Sequence, residues 1–136
     1  MVAEVSGSIV YVLKRTDAGV RVLFLHRSGG QHKDSWWPVA GTPLDDELPR
    51  DTARRELAEE TGLITDHWQD FGIDIPNADG IRILKAFVAW VDESDAITLN
   101  YEHDAYRWLT ADEVVEIVPA ESRQYLEHLA RQFMES

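Results

Sequence analysis

The chain alternates between short, dense apolar runs and longer stretches in which apolar residues recur at helical spacing. Val5–Leu13 and Val20–Leu25 are β-branched and aliphatic, and the KRTDAG bridge between them carries Asp17 and Gly19, so they predict a hairpin. A polar loop, Arg27–Ser35, leads to Trp36 and Trp37. Leu48–Thr61 predicts a helix: Pro49 suits the first turn, Ala53, Arg54, Leu57 and Ala58 are good formers, and Gly62 supplies a left-handed stop. Loop signals follow at Gly72, Pro76 and Asn77–Gly80. Ile81–Val91 then reads as a strand buried on both faces. Ile97–Tyr101 and Ala105–Leu109 are shorter candidate strands. Thr110 and Glu113 form a capping-box pattern that opens a helix to about Ile117, limited by Pro119. Tyr125, Leu126, Leu129 and Phe133 predict a last helix over Ala120–Met134. Strands on both sides of a helix, closed by another helix, point to an α/β fold with a mixed sheet covered on two faces.

Composition narrows the function. At 136 residues without a linker, repeat or biased segment, residues 1–136 read as a single domain. Thirteen basic against 25 acidic residues give a net charge of -12, which argues against a nucleic-acid polymer or an anionic membrane as habitual partner. The absence of cysteine excludes disulfides, zinc thiolates and thiol catalysis. With neither a signal-peptide pattern nor an 18-residue apolar segment, the cytoplasm is the default expectation.

The chemistry concentrates in Gly41–Leu63, GTPLDDELPRDTARRELAEETGL. At about 100° per residue Glu56, Glu59 and Glu60 share one helix face. Three carboxylates about 5 Å apart repel by roughly 3 kcal/mol per pair at an effective dielectric of 20, a cost that a bound hard cation removes. An acidic, salt-bridged surface helix explains less, because Arg54 has only Ala58 four residues on and Glu56 faces the like-charged Glu60.

Gly41, Glu47, Arg55, Glu56, Glu59, Glu60 and Gly62, with apolar Leu57 and Leu63, resemble the signature of the Nudix hydrolases at every specified position. Seven identities at roughly 7% each coincide by chance about once in 10^8 positions, so the motif is specific. The resemblance implies an α/β/α sandwich and hydrolysis of a nucleoside diphosphate linked to another group. It implies Mg²⁺, with Mn²⁺ as a substitute, held by Glu56, Glu59, Glu60 and the Ala40 carbonyl. It assigns Arg55 to holding the carboxylates in place and Glu47 to an indirect or auxiliary metal role, against a plain helix-start charge. Gly41 and Gly62 are read as points of backbone freedom beside ligand and metal.

A narrower likeness lies outside that motif. W-x-x-V-x-G, as Trp36, Val39 and Gly41, and EHDAYRWL, from Glu102 to Leu109, are similar to the dihydroneopterin triphosphate pyrophosphohydrolase group, whose members also act on deoxynucleoside triphosphates such as dATP. It implies that Glu102 is a further catalytic-site carboxylate and metal ligand. Arg27, at the end of the second run, is the candidate phosphate contact, and Trp36 or Trp37 the base-stacking ring. Trp68, Trp90 and Trp108 read as core or shell. Lys85 reads as a strand-edge lysine in preference to a phosphate ligand. His26, His32 and His103 lack metal-ligand spacing. The expected reaction is pyrophosphohydrolysis of a nucleoside or pterin triphosphate to the monophosphate and pyrophosphate, by a monomer or homodimer. The alternatives are a dinucleoside polyphosphate or nucleotide-sugar hydrolase and, from another class, a non-catalytic nucleotide-binding module.

Overall fold

In the computed structural model, which describes residues 4–30, 32–77 and 80–135, the first hairpin is present. Strand β1 (Val5–Thr16) turns through Asp17 and Ala18 into β2 (Gly19–Arg27). Both strands outrun their apolar runs. Thr16 Oγ1 closes the turn by donating to Gly19 O at 2.8 Å and accepting from Ala18 N at 3.2 Å, while Gly19 takes φ 117°, a backbone that favours glycine.

β1 lies at the centre. One edge pairs in parallel with β7 (Ile83–Val91), and the other is divided between β2 at Leu13–Thr16 and β4 (Val39–Gly41) at Ser8–Val10. Beyond Val22, β2 leaves β1. It takes β3 (Trp36–Trp37) on the vacated edge and β8 (His103–Leu109) on its other. Pro38 therefore carries the chain across the splay between β2 and β1. β5 (Trp68–Asp70) and β6 (Ile75–Pro76) pair with the outer edge of β7.

Strand alternation makes two cores. Val10, Val12, Leu23, Leu25, Ala89 and Val91 pack on Ala53 and Leu57 of helix α1 (Pro49–Thr61). Ile9, Tyr11, Phe24, Ala86 and Val88 pack on Val114 of α2 (Ala111–Ile117) and Leu126 and Leu129 of α3 (Arg123–Leu129). Leu57 is 1% exposed, so Leu57→Ala would cost about 2–5 kcal/mol. The result is the expected α/β/α sandwich with a mixed sheet. Among the described residues no helix is long and apolar enough to cross a membrane.

Several elements differ from the sequence reading. Ile97–Tyr101 is not a strand: Thr98 N–H donates to Thr61 O at 2.8 Å, so the segment satisfies the end of α1 instead of a ladder, with Ile97 and Leu99 against the α1-side core. β8 begins at His103, two residues early, and β7 at Ile83, leaving Ile81 79% exposed. The capping box of α2 is complete in both directions. The last helical run is divided into a 3₁₀ turn at Ala120–Ser122, α3, and a π-type turn at Ala130–Met134 that brings Phe133 over Phe71 at 6.2 Å. Ala78 and Asp79 of the expected loop cluster lie outside the described residues.

Candidate active site

Helix α1 is fixed at both ends. Ser8 Oγ donates to Pro49 O at 2.7 Å, tying its start to β1, and Gly62, left-handed at φ 75°, donates its N–H to Ala58 O at 2.8 Å. Between these points Arg55 acts as a clamp. Its Nε reaches Glu47 Oε2 at 3.0 Å and its Nη2 reaches Glu47 Oε1 at 3.0 Å and Thr42 O at 2.9 Å. Nη1 holds Glu56 Oε1 at 2.8 Å and Glu59 Oε2 at 3.1 Å. Glu47 also accepts from Thr52 Oγ1 and Leu44 N–H. Its carboxyl is pushed down to about 2, first by the hydrogen bonds of Arg55, and those bonds push Arg55 up in turn. Glu47 thus acts on the carboxylate face through Arg55.

Gly41 is required for a reason other than the expected backbone freedom. It lies in β4 without a positive φ, but a Cβ there would overlap the Glu56 carboxyl group. Gly7 of β1 repeats the theme, since a Cβ there would overlap Gly41 O. Backbone freedom is the need at Gly62. Ala40, next to Gly41, pairs with Ile9 of β1 and packs against the α2–α3-side core.

Glu60 has the opposite environment. It is 3% exposed, its Oε1 has no hydrogen-bond partner, and burial followed by the neighbouring Glu56 carboxyl pushes it up to about 10. Arg27 Nε and His103 Nε2 are likewise buried without partners, and His103 Nε2 stands 3.7 Å from Glu60 Oε1. The Arg27 guanidinium and the Glu102 carboxylate both act electrostatically on Glu60, which puts the end of β2 and the turn before β8 near the end of α1. Among the described residues no three acidic or imidazole groups already stand as a ligand set, because Arg55 Nη1 draws Glu56 and Glu59 to itself. The donor chemistry nonetheless fits a hard divalent cation: carboxylate oxygens crowded on one face, one of them buried and unpaired.

A cleft of about 1190 Å³ opens on the α2–α3 side, walled by Phe24, Arg27, Trp36, Trp37, Ala40 and Tyr125. Trp36 lies between the His26 ring at 5.1 Å and the Arg107 guanidinium at 5.7 Å. Trp37 Nε1 donates to Ser35 Oγ at 2.8 Å and its ring faces His32 at 4.7 Å. Trp68, Trp90 and Trp108 instead meet Arg54, Arg15 and Lys14, as shell residues. Lys85 pairs with Asp74 at 3.1 Å beside a separate hollow at the start of α1, about 15 Å along the helix from Glu60. His103, Asn100 and Tyr125 are the site neighbours that sequence reasoning missed. The one available signal was an imidazole beside Glu102.

Over residues 6–132 the chain matches the NUDIX domain family. Among curated proteins it is similar to the asymmetrical bis(5'-nucleosyl)-tetraphosphatase of Sus scrofa, at 27% identity with 98% of this chain and 97% of that protein covered. Among solved structures it resembles a C. elegans Ap4A hydrolase binary complex, with a TM-score of 0.79, 19% identity and 92% and 96% of the two chains covered. It also resembles the E. coli dihydroneopterin triphosphate pyrophosphohydrolase, with a TM-score of 0.70, 22% identity and 91% and 95% covered. At these identities the structural likeness establishes the fold.

Proposed function

Because this chain belongs to the NUDIX domain family and is a hydrolase of nucleotide phosphoanhydrides, we propose that it cleaves a dinucleoside tetraphosphate asymmetrically, with Mg²⁺ or Mn²⁺ held by Glu56, Glu59, Glu60, Glu102 and the Ala40 carbonyl. The observation that carries this reading is Arg27, which belongs both to the buried cluster around the unpaired Glu60 oxygen and to the wall of the 1190 Å³ cleft. A phosphate chain held at Arg27 meets the carboxylates on one side and a nucleoside-sized cleft on the other. That cleft exceeds the roughly 300–1000 Å³ of ordinary small-ligand pockets. The full-length likeness to an asymmetrical tetraphosphatase supports the substrate.

A divalent cation held by those oxygens would supply positive charge to the phosphate oxygens and Lewis acidity toward an attacking water. The protein's own groups do the rest. Arg55 and Glu47 hold Glu56 and Glu59 in register, Arg27 offers a buried N–H to a phosphate oxygen, and Trp36 offers a ring face to a base. Glu102, at the turn before β8, is the carboxylate placed to accept a proton or complete the cation's ligands.

A second reading is favoured by the Trp36, Val39 and Gly41 spacing: hydrolysis of a nucleoside or pterin triphosphate to monophosphate and pyrophosphate. Hydrolysis in ¹⁸O water of diadenosine tetraphosphate, dATP, dihydroneopterin triphosphate and ADP-ribose separates the two. The expected result is at least a tenfold higher kcat/KM for the tetraphosphate, with two unequal nucleotide products. A tenfold preference for a triphosphate with pyrophosphate released would install the second reading, and tight binding without product would make the chain a binding module.

A further inference from the structure

Hydrogen bonds run from the loop carboxylate Glu102 through Asn100 to His103, whose ring faces the helix carboxylate Glu60. Asn100 Nδ2 donates to Glu102 Oε1 at 3.4 Å, and Asn100 Oδ1 lies 2.9 Å from His103 Nδ1. The first contact decides how the amide faces: its nitrogen takes the carboxylate, which leaves its oxygen to accept from the imidazole. His103 Nδ1 therefore carries the hydrogen, and Nε2 is the atom that looks toward Glu60 Oε1, 3.7 Å away. The two side chains are 2% and 4% exposed, and neither facing atom has a hydrogen bond. The backbone that carries the ring is held. His103 N–H donates to Asn100 O at 3.3 Å, and the residue pairs with Arg27 in the β2–β8 ladder.

A histidine that only filled space here would be poorly chosen, since an aromatic hydrocarbon ring fills the same volume without desolvating a nitrogen that finds no partner. We propose that Asn100 and His103 are positioning residues: the buried imidazole anchors the Asn100 amide, and the amide holds the Glu102 carboxylate so that it and Glu60 address one divalent cation. This rests on the reading that those two glutamates hold the cation. Asn100 sets Glu102 directly, and His103 sets it through the amide. Neither residue touches substrate. Their effect is on how well two oxygens from opposite sides of the site are placed before the cation arrives.

The test is a Mn²⁺ titration of the full chain without nucleotide, read by the electron paramagnetic resonance signal of free Mn²⁺, with the melting temperature of the metal-free protein beside it. Asn100→Ala should weaken Mn²⁺ binding about tenfold while leaving the metal-free melting temperature within a few degrees of wild type. Asn100→Ala added to Glu102→Gln should bind Mn²⁺ within twofold of Glu102→Gln alone, because the amide has then lost the group through which it acts. His103→Phe should also lose about tenfold, and His103→Gln, whose amide can still donate to Asn100, should recover part of it. If His103→Phe fails to fold, the Asn100 variants still decide. A loss under threefold in Asn100→Ala, or losses that multiply in the double variant, would overturn the proposal. Failure to hydrolyse dinucleoside tetraphosphates would overturn the substrate reading and leave the Mn²⁺ result standing.

Discussion

Arg55 and Glu60 sit little more than one helical turn apart on α1, yet their surroundings are opposites. Around Arg55 every polar atom is matched: Glu47, Glu56, Glu59 and the Thr42 carbonyl share its guanidinium, and Thr52 and Leu44 complete Glu47. Around Glu60 three buried atoms from three elements have no partner. A saturated knot of charge is scaffold: it orients Glu56 and Glu59, whose remaining lone pairs stay open to a cation. An unsaturated one is an invitation, because folding has left desolvation uncompensated until a ligand arrives. The helix therefore holds Glu56 and Glu59 by a matched cation, Arg55, and leaves Glu60 unmatched, though both ends carry the same residue types.

The sharpest way to break that contrast is at the unsaturated end. Glu60→Gln should lower turnover at least 10³-fold, about 4 kcal/mol of barrier, while the metal-free protein folds normally. Near-wild-type steady-state rates would remove Glu60 from the reaction. Glu102→Gln should cost about 10²-fold, and the Mg²⁺ dependence tells why: rescue by excess Mg²⁺ or by Mn²⁺ marks a lost ligand, whereas a flattened alkaline limb of the pH-rate profile marks a lost base. Activity above half of wild type at every Mg²⁺ concentration would leave Glu102 a loop residue. Gly41→Ala probes the seam between the two regions. Its methyl group must displace Glu56 from the Arg55 clamp, and a loss of about tenfold in turnover is expected; an unchanged rate would show that Glu56 accommodates it.

The smallest effect concerns pH and has opposite signs at the two ends. Glu47 has its folded value near 2, below the ordinary 4.5, so its contribution to stability is complete above pH 4.5 and is lost as pH falls toward 2. Glu60 is raised to about 10, so metal-free stability is highest below pH 4.5 with respect to this group and declines as pH rises toward 10. Melting temperatures of the metal-free protein should therefore lose part of their acid limb in Glu47→Gln and part of their alkaline decline in Glu60→Gln. Parallel profiles in wild type and both variants would dissolve the distinction.

The sequence was most informative where one local rule acted alone. Pro49 and Gly62 bounded α1 to within a residue, and Thr110 with Glu113 marked the start of α2. It failed where a segment's partner was remote. Ile97–Tyr101 carries alternating apolar residues like a strand, but the Thr98 amide is used by the end of a helix 37 residues earlier. β5 and β6, at three and two residues, are too short to show a period. The motif identified Glu56, Glu59, Glu60 and Arg55 as one group, yet Glu47 as the anchor of Arg55 is visible only in the contacts. His103 was passed over for lacking ligand spacing, and its role depends on register with Arg27, which no local pattern encodes.

The crossing of the chain from β2 to β1 at Pro38 has a bearing on how such an enzyme can be re-engineered. Most residues that set the reaction face lie within 41–62, with Arg27, Ala40 and Glu102 outside it, while 36–38 and 118–125 on other elements contribute much of the cleft wall. Recognition and reactivity are thus written on separate stretches of sequence that meet at one splayed seam of the sheet. A library that randomises 36–38 and 118–125 with 41–62 held constant is a search over substrates at fixed reactivity, and its size is set by eleven positions instead of the whole chain.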